Sequence, residues 1–120
     1  MLRGLMLNHN APVPRVARPA LPSLAEEAVD AFGGRVRVAV LRALNEDGPS
    51  TKAELLRRLG GSDSNLGRHL SALEQLGVIV ADPPRDDEMG PVTRRYDVDH
   101  DRVQELLAAL ASALTKGSRR

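Results

Sequence analysis

Ser64, Gly67, Arg68, Ser71 and Gln75 recur on one face of the helical stretch 62–77, with Asn65 and His69 beside them. The set is small, polar and basic, and its chemistry is recognition rather than reaction. An arginine fork fits guanine O6 and N7, for about 1–3 kcal/mol of discrimination, so Arg68 is the best single candidate for a base contact. Ser64, Asn65 and Ser71 can donate to phosphate oxygens or meet base edges with less specificity. Behind this face Leu66, Leu70, Leu73 and Gly77 keep helical spacing, which turns them to a core and leaves the polar side outward. Such a helix suits the major groove of double-stranded DNA.

Other cations lie nearby in sequence. Lys52, Arg57 and Arg58 precede the stretch, and Arg94 and Arg95 follow an acidic loop; Lys52, Arg58, Arg94 and Arg95 are carried forward as phosphate contacts. His69 borders the leucine side, which suits half-buried packing or a phosphate hydrogen bond better than metal ligation. Asp97, Asp99, His100 and Asp101 form the only local ligand-like cluster, and they are explained as the acidic start of a helix. The chain has no cysteine, which removes disulfides, thiolate metal sites and cysteine nucleophiles. No phosphate-binding loop or Ser-His-acid constellation can be assembled. No enzyme, cofactor or metal site is expected.

These side chains need elements to hold them. Ser62 can cap the stretch and Gly77 can close it in the left-handed conformation. Ahead of it, 51–60 forms a shorter helix in which Thr51 and Glu54 make a capping box. Only Gly60 and Gly61 separate the two, a spacing that reads as helix-turn-helix. A first helix over 23–32 has Ser23 as cap, Glu26 completing a box and Gly33-Gly34 as its stop. The segment 35–45 is ambiguous, because Val36, Val38 and Val40 alternate as in a strand. Its length and the Gly48-Pro49 stop favour a helix. After Gly77, the segments 78–81 and 92–98 flank a loop of prolines and charges and read as a β-hairpin. A last helix over 102–116 carries Val103, Leu107, Leu110 and Leu114 at coiled-coil-like spacing, flanked by Leu106 and Ala111.

With these parts in place the chain resembles the ArsR-like winged helix-turn-helix transcription regulators. The resemblance covers roughly residues 35–114. It is carried by Arg37, Val40, Leu41 and Leu44, by Thr51, Glu54 and Leu55, by 59–73, by Gly77-Val78-Ile79, and by 94–98. His69-Leu70 with Leu73 and Gly77-Val78 is the most distinctive part. The resemblance implies a homodimer on a palindromic operator, with first and last helices as the dimer interface. Its DNA-reading positions fall on Asp63, Ser64, Asn65, Gly67 and Arg68. Two depart from the family pattern: Gly67 stands where a small hydroxyl residue is usual, and Asp63 where an amide is often found. Asp63 repels phosphates, yet it suits a helix N-terminus and can accept from cytosine N4.

At 120 residues and net charge +1 the chain fits one modest domain with no global electrostatic pull on nucleic acid. Phe32 and Tyr96 are its only aromatics, so stacking on single-stranded bases is not its recognition mode. No apolar run approaches the ~18 residues of a membrane span, and a cytoplasmic location is expected. Residues 1–22, with Pro12, Pro14, Pro19, Pro22 and several arginines, read as a flexible tail. The expected architecture is mainly α with a small β-hairpin, a winged helix-turn-helix over 23–116 and a frayed end over 117–120. The expected DNA contacts are Lys52, Arg58, Ser62, Asp63, Ser64, Asn65, Gly67, Arg68, His69, Ser71, Arg94 and Arg95. The expected homodimer uses Leu24, Ala28, Val103, Leu107, Leu110 and Leu114. The expected function is a sequence-specific DNA-binding regulator, a repressor. The alternative is a winged-helix protein-interaction module without specific DNA binding, motivated by the near-neutral charge, the acidic loop and Gly67.

Overall fold

The valine-rich segment that alternates like a strand is a helix. In the computed structural model it runs Arg35–Asp47 and is here α2, following α1 at Ser23–Phe32. Val40, Ala43 and Leu44 are its buried residues, so the 3.6-residue period outweighs the local β-branched alternation. Residues 19–84 and 93–116 are described. Most of the expected tail, the acidic loop tip at 85–92 and the basic end at 117–120 lie outside them.

Helix α3 spans Lys52–Leu59 and α4 spans Asp63–Gln75. Both starts follow from their caps. Thr51 Oγ1 accepts from Glu54 N at 3.1 Å while Glu54 Oε1 accepts from Thr51 N at 2.8 Å, a closed capping box. Ser62 Oγ accepts from Asn65 N at 3.1 Å. Gly60 and Gly61, with φ of 78° and 88°, make the turn between them in a conformation that side chains rarely adopt. Helix α1 differs from the sequence expectation. Its N-cap is Pro22, with no side-chain cap, and Ser23 is already helical. Glu26 N donates to Pro22 O at 2.9 Å as the first intrahelical bond, so the cap falls one residue ahead of the expected position.

The C-terminus of α4 is locked by a Schellman arrangement. Val78 N donates to Leu73 O at 3.2 Å and Gly77 N to Glu74 O at 3.0 Å. Gly77 has φ 81°, and the two residues that bracket the motif, Leu73 and Val78, are both fully buried. The chain leaves this motif directly into β2, Ile79–Asp82, which pairs antiparallel with β3, Arg95–Val98. A third strand, β1 at Ser50–Thr51, adds to the other side of β3 in the order β1-β3-β2. Two residues show no alternation, and β1 was not expected from sequence.

Helix α5 runs His100–Thr115, two residues earlier than expected, with Asp99 as the cap that accepts from Arg102 N at 3.1 Å. It lies against α1 and sends Leu106 into the core, while Val103 and Leu110 pack at its margin. The core is aliphatic: Val40, Leu44, Leu55, Leu66, Leu70, Leu73, Val78, Ile79 and Leu106 meet Tyr96. Arg102 bolts three elements at their junction. Its Nε donates to Leu76 O at 2.9 Å, and its other nitrogens pair with Glu27 of α1 and Glu105 of α5. Those hydrogen bonds hold its protonated form, so its pKa is raised, chiefly by Glu105. Among the described residues no helix is long and apolar enough to cross a membrane.

A methyl group at Gly77 would force a left-handed residue with a Cβ and would sit 3.4 Å from Arg102 Nε. Gly77→Ala is therefore expected to lower unfolding stability by about 1–2 kcal/mol. Urea denaturation followed by circular dichroism measures this; an unchanged midpoint contradicts the assignment.

Candidate nucleic-acid interface

The buried leucines fix which side of α4 faces out. With Leu66, Leu70 and Leu73 inside, Ser64, Arg68 and Gln75 are exposed, and Gly67 and Ser71 are half-buried between them. Together with Lys52 and Ala72 these residues line a shallow open depression of ≈ 500 Å³. Arg68 Nη2 donates to Asn65 Oδ1 at 2.7 Å, one turn back, which orients the guanidinium along the exposed face. The expected set Ser64, Asn65, Gly67, Arg68 and Ser71 is thus brought together on one surface. Ser62 and Asp63 lie at its N-terminal end, both exposed.

Gly67 and Asp63 acquire a shared explanation. Lys52, at the start of α3, reaches across to Asp63 Oδ2 at 3.0 Å. On the way its stem crosses the bare backbone of α4. A Cβ at position 67 would lie 3.0 Å from Lys52 Nζ and 3.6 Å from its Cε. The glycine leaves room for the lysine, and the aspartate holds it there.

Two of the other expected cations, Arg58 and Arg95, are already engaged. Arg58 is held by Glu46 and Asp47, at the end of α2. Hydrogen bonds from Arg58 and Arg42 depress the Glu46 pKa, and those that Arg58 donates to Glu46 and Asp47 raise its own. Arg95 Nη1 meets Glu54 Oε1 at 3.3 Å. Glu54 also accepts from the Thr51 backbone, the main reason its pKa is lowered. Arg94 is half-buried, and its Nε has no hydrogen-bond partner among the described residues. A phosphate at Arg58 or Arg95 competes with carboxylates; among the described residues Arg68 has only a neutral amide to leave. Among the described residues no group of His, Cys, Asp and Glu is placed to hold a metal.

Residues 34–80, from the start of α2 into β2, match a family model described as a helix-turn-helix domain. The chain carries a helix-turn-helix domain. Solved structures extend the likeness beyond it. An ArsR family transcriptional regulator, RHA00566, superposes with TM-score 0.61 at 22% identity, over 81% of this chain and 99% of that one. Rv0081 of M. tuberculosis gives 0.55 at 27% identity, over 78% and 88% of the two chains. NolR from Sinorhizobium fredii gives 0.55 at 23% identity, over 85% and 100%. No curated protein sequence matches the chain. The fold is that of the ArsR-like winged helix-turn-helix proteins, five helices with a small three-stranded antiparallel sheet among the described residues.

The helix-turn-helix is anchored to α1 through a residue whose part the sequence did not disclose. Arg37 Nη1 donates to Asp30 O at 2.9 Å and Asp30 Oδ1 at 3.1 Å, and its Nε donates to His69 Nδ1 at 3.1 Å. The chain of contacts runs α1–α2–α4 and ends on the recognition-type helix. His69 accepts at Nδ1, so it belongs to the packing side, not the open face. Burial lowers its pKa first, and the charges of Arg37 and Arg68 add to this.

A depressed imidazole pKa stabilises the fold fully above the ordinary value of about 6.5, and that stability is lost as pH falls through the folded value. An NMR titration should place the His69 midpoint below about 6.5. Arg37→Gln should move it upward, because a cation and a donor to Nδ1 are removed. A parent midpoint above the ordinary value contradicts the arrangement.

Proposed function

We propose that this protein is a sequence-specific transcriptional regulator of double-stranded DNA, a dimeric repressor that lays α4 in the major groove. The observation that carries this reading is the division of α4. Its leucines are sunk in the core, and a polar, arginine-bearing face stands open within a helix-turn-helix. Base contact is assigned to Arg68, with Ser64, Asn65 and Ser71 around it. Ser62 offers the α4 N-terminus to a phosphate. Arg58, Arg94 and Arg95 are the remaining phosphate candidates, in a cytoplasmic protein with no cofactor.

The dimer is assigned to α1 and α5. Leu24 and Leu107 are substantially exposed, and Leu114 is 74% exposed, so an apolar strip runs along these helices beyond what one core absorbs. Leu21, Leu24, Ala109 and Ala113 line an open groove between these two helices. Ala28 does not belong to this strip: it is fully buried within the chain, and Val103 and Leu110 are partly so. Leu114→Glu should shift the species in analytical ultracentrifugation from dimer to monomer and weaken binding to a two-half-site duplex. A parent that sediments as monomer at all concentrations contradicts this part.

The interaction-module alternative draws on the pairing of Lys52, Arg58 and Arg95 with carboxylates, which leaves few free cations for a phosphate backbone. Selection of sites from random duplexes at near-physiological salt separates the two readings. The regulator enriches a palindrome whose binding weakens as salt rises. Arg68→Ala then relaxes preference at one position of each half-site, by roughly tenfold. Enrichment of no sequence by the parent rules the regulator out.

A further inference from the structure

We propose that Lys52 and Asp63 act as one composite reader of a G·C base pair, seated on Gly67; the proposal rests on the reading of α4 as the DNA-facing helix. Residues 63 and 67 are one turn apart on the same side of α4. The Lys52 ammonium lies 3.0 Å from Asp63 Oδ2, and a Cβ on Gly67 would lie 3.0 Å from the same nitrogen. A side chain from α3 therefore occupies the position that residue 67 of α4 vacates. Its charge is presented close to the helix backbone, on the rim of the depression that also holds Ser64, Arg68 and Ser71.

The chemistry of the pair selects its target. An ammonium has three donors, and Asp63 takes one. The carboxylate, 71% exposed, keeps acceptor capacity. The unit is thus a donor beside an acceptor, with no net charge. A phosphate gains little from it, because the carboxylate repels what the ammonium attracts. The major-groove edge of G·C fits: guanine N7 and O6 are adjacent acceptors for the ammonium, and cytosine N4 is a donor for the carboxylate. An A·T pair also offers an acceptor beside a donor, adenine N7 and N6, but it lacks the second adjacent acceptor that guanine O6 gives the ammonium, so G·C is the better fit. Position matters as well, because residues near the start of a recognition helix are the ones that reach base edges.

The test is site selection from random duplexes with the full chain as parent, Lys52→Met, Asp63→Asn, Gly67→Ala and the double variant Lys52→Met with Asp63→Asn. Asp63 is exposed while Lys52 and Gly67 are half-buried, and melting followed by circular dichroism checks that each variant folds. The parent is expected to require G·C at one fixed position of each half-site, distinct from the position relaxed by Arg68→Ala. Each single variant should relax that requirement by on the order of tenfold and leave the other positions as they were. Gly67→Ala should do so by displacing the ammonium, without removing any functional group. The double variant, which exchanges one neutral pair for another, should keep the parental salt slope.

Unchanged preference at every position in the variants, alongside a clear parental operator, overturns the composite reader and leaves the regulator reading standing. An A·T requirement at the affected position overturns it too. So does an even loss of affinity across all sequences in Lys52→Met, with preferences intact, which marks the lysine as a phosphate contact. A parent that selects no sequence overturns both the composite reader and the reading beneath it.

Discussion

Everything in this molecule depends on the immobility of α4. A helix can present a fixed pattern of donors and acceptors only if it can neither roll nor slide, and here three constraints prevent both. Leu66, Leu70 and Leu73 are buried along its length, which fixes the roll. The Ser62 cap at one end and the Gly77 turn at the other fix its limits. The leucine contacts carry most of the energy, since a buried leucine contributes about 1.5–3 kcal/mol and a cap about 1.

Polar bolts add direction to this apolar base. Arg37 ties Asp30 to His69, and Arg102 ties Leu76 to Glu27 and Glu105. Both arginines join α1 to an end or flank of α4, and neither lies on its open face. The consequence is a mechanical link between the helix assigned to the dimer and the helix assigned to DNA. Spacing between half-sites is a geometric property of such a link. Movement of α1 against α5 would be felt at α4 through hydrogen bonds of about 3 Å, not through a flexible connection.

Much of this was legible in the residues. The caps at Thr51 and Ser62, the glycine turn and the leucine face of α4 are local patterns, set by interactions three or four residues apart, and the strands of the hairpin show as short apolar or alternating runs on either side of a proline-rich loop. The failures share a different cause. Ser23 has the chemistry of a cap, but it is already helical and the cap position falls on Pro22. Strand β1 exists only because β3 passes beside it. Arg102 meets partners 26 and 75 residues away, which no periodicity encodes. Gly67 departs from the family pattern in the sequence, but only the fold brings Lys52 of the neighbouring helix across it. Ala28 has the spacing of an interface residue and the burial of a core one. In each case the missing information was which neighbour tertiary packing would bring.

The central claim is that the open face of α4 meets the duplex. Titrating isotope-labelled protein with its selected duplex, and following backbone amides by NMR, tests it most directly. The account predicts the largest shifts and exchange protection at Ser62–Ser71, with the leucine side and α5 little changed. Perturbation confined to α1 and α5, with the amides of Ser64, Asn65 and Arg68 unmoved, would contradict it.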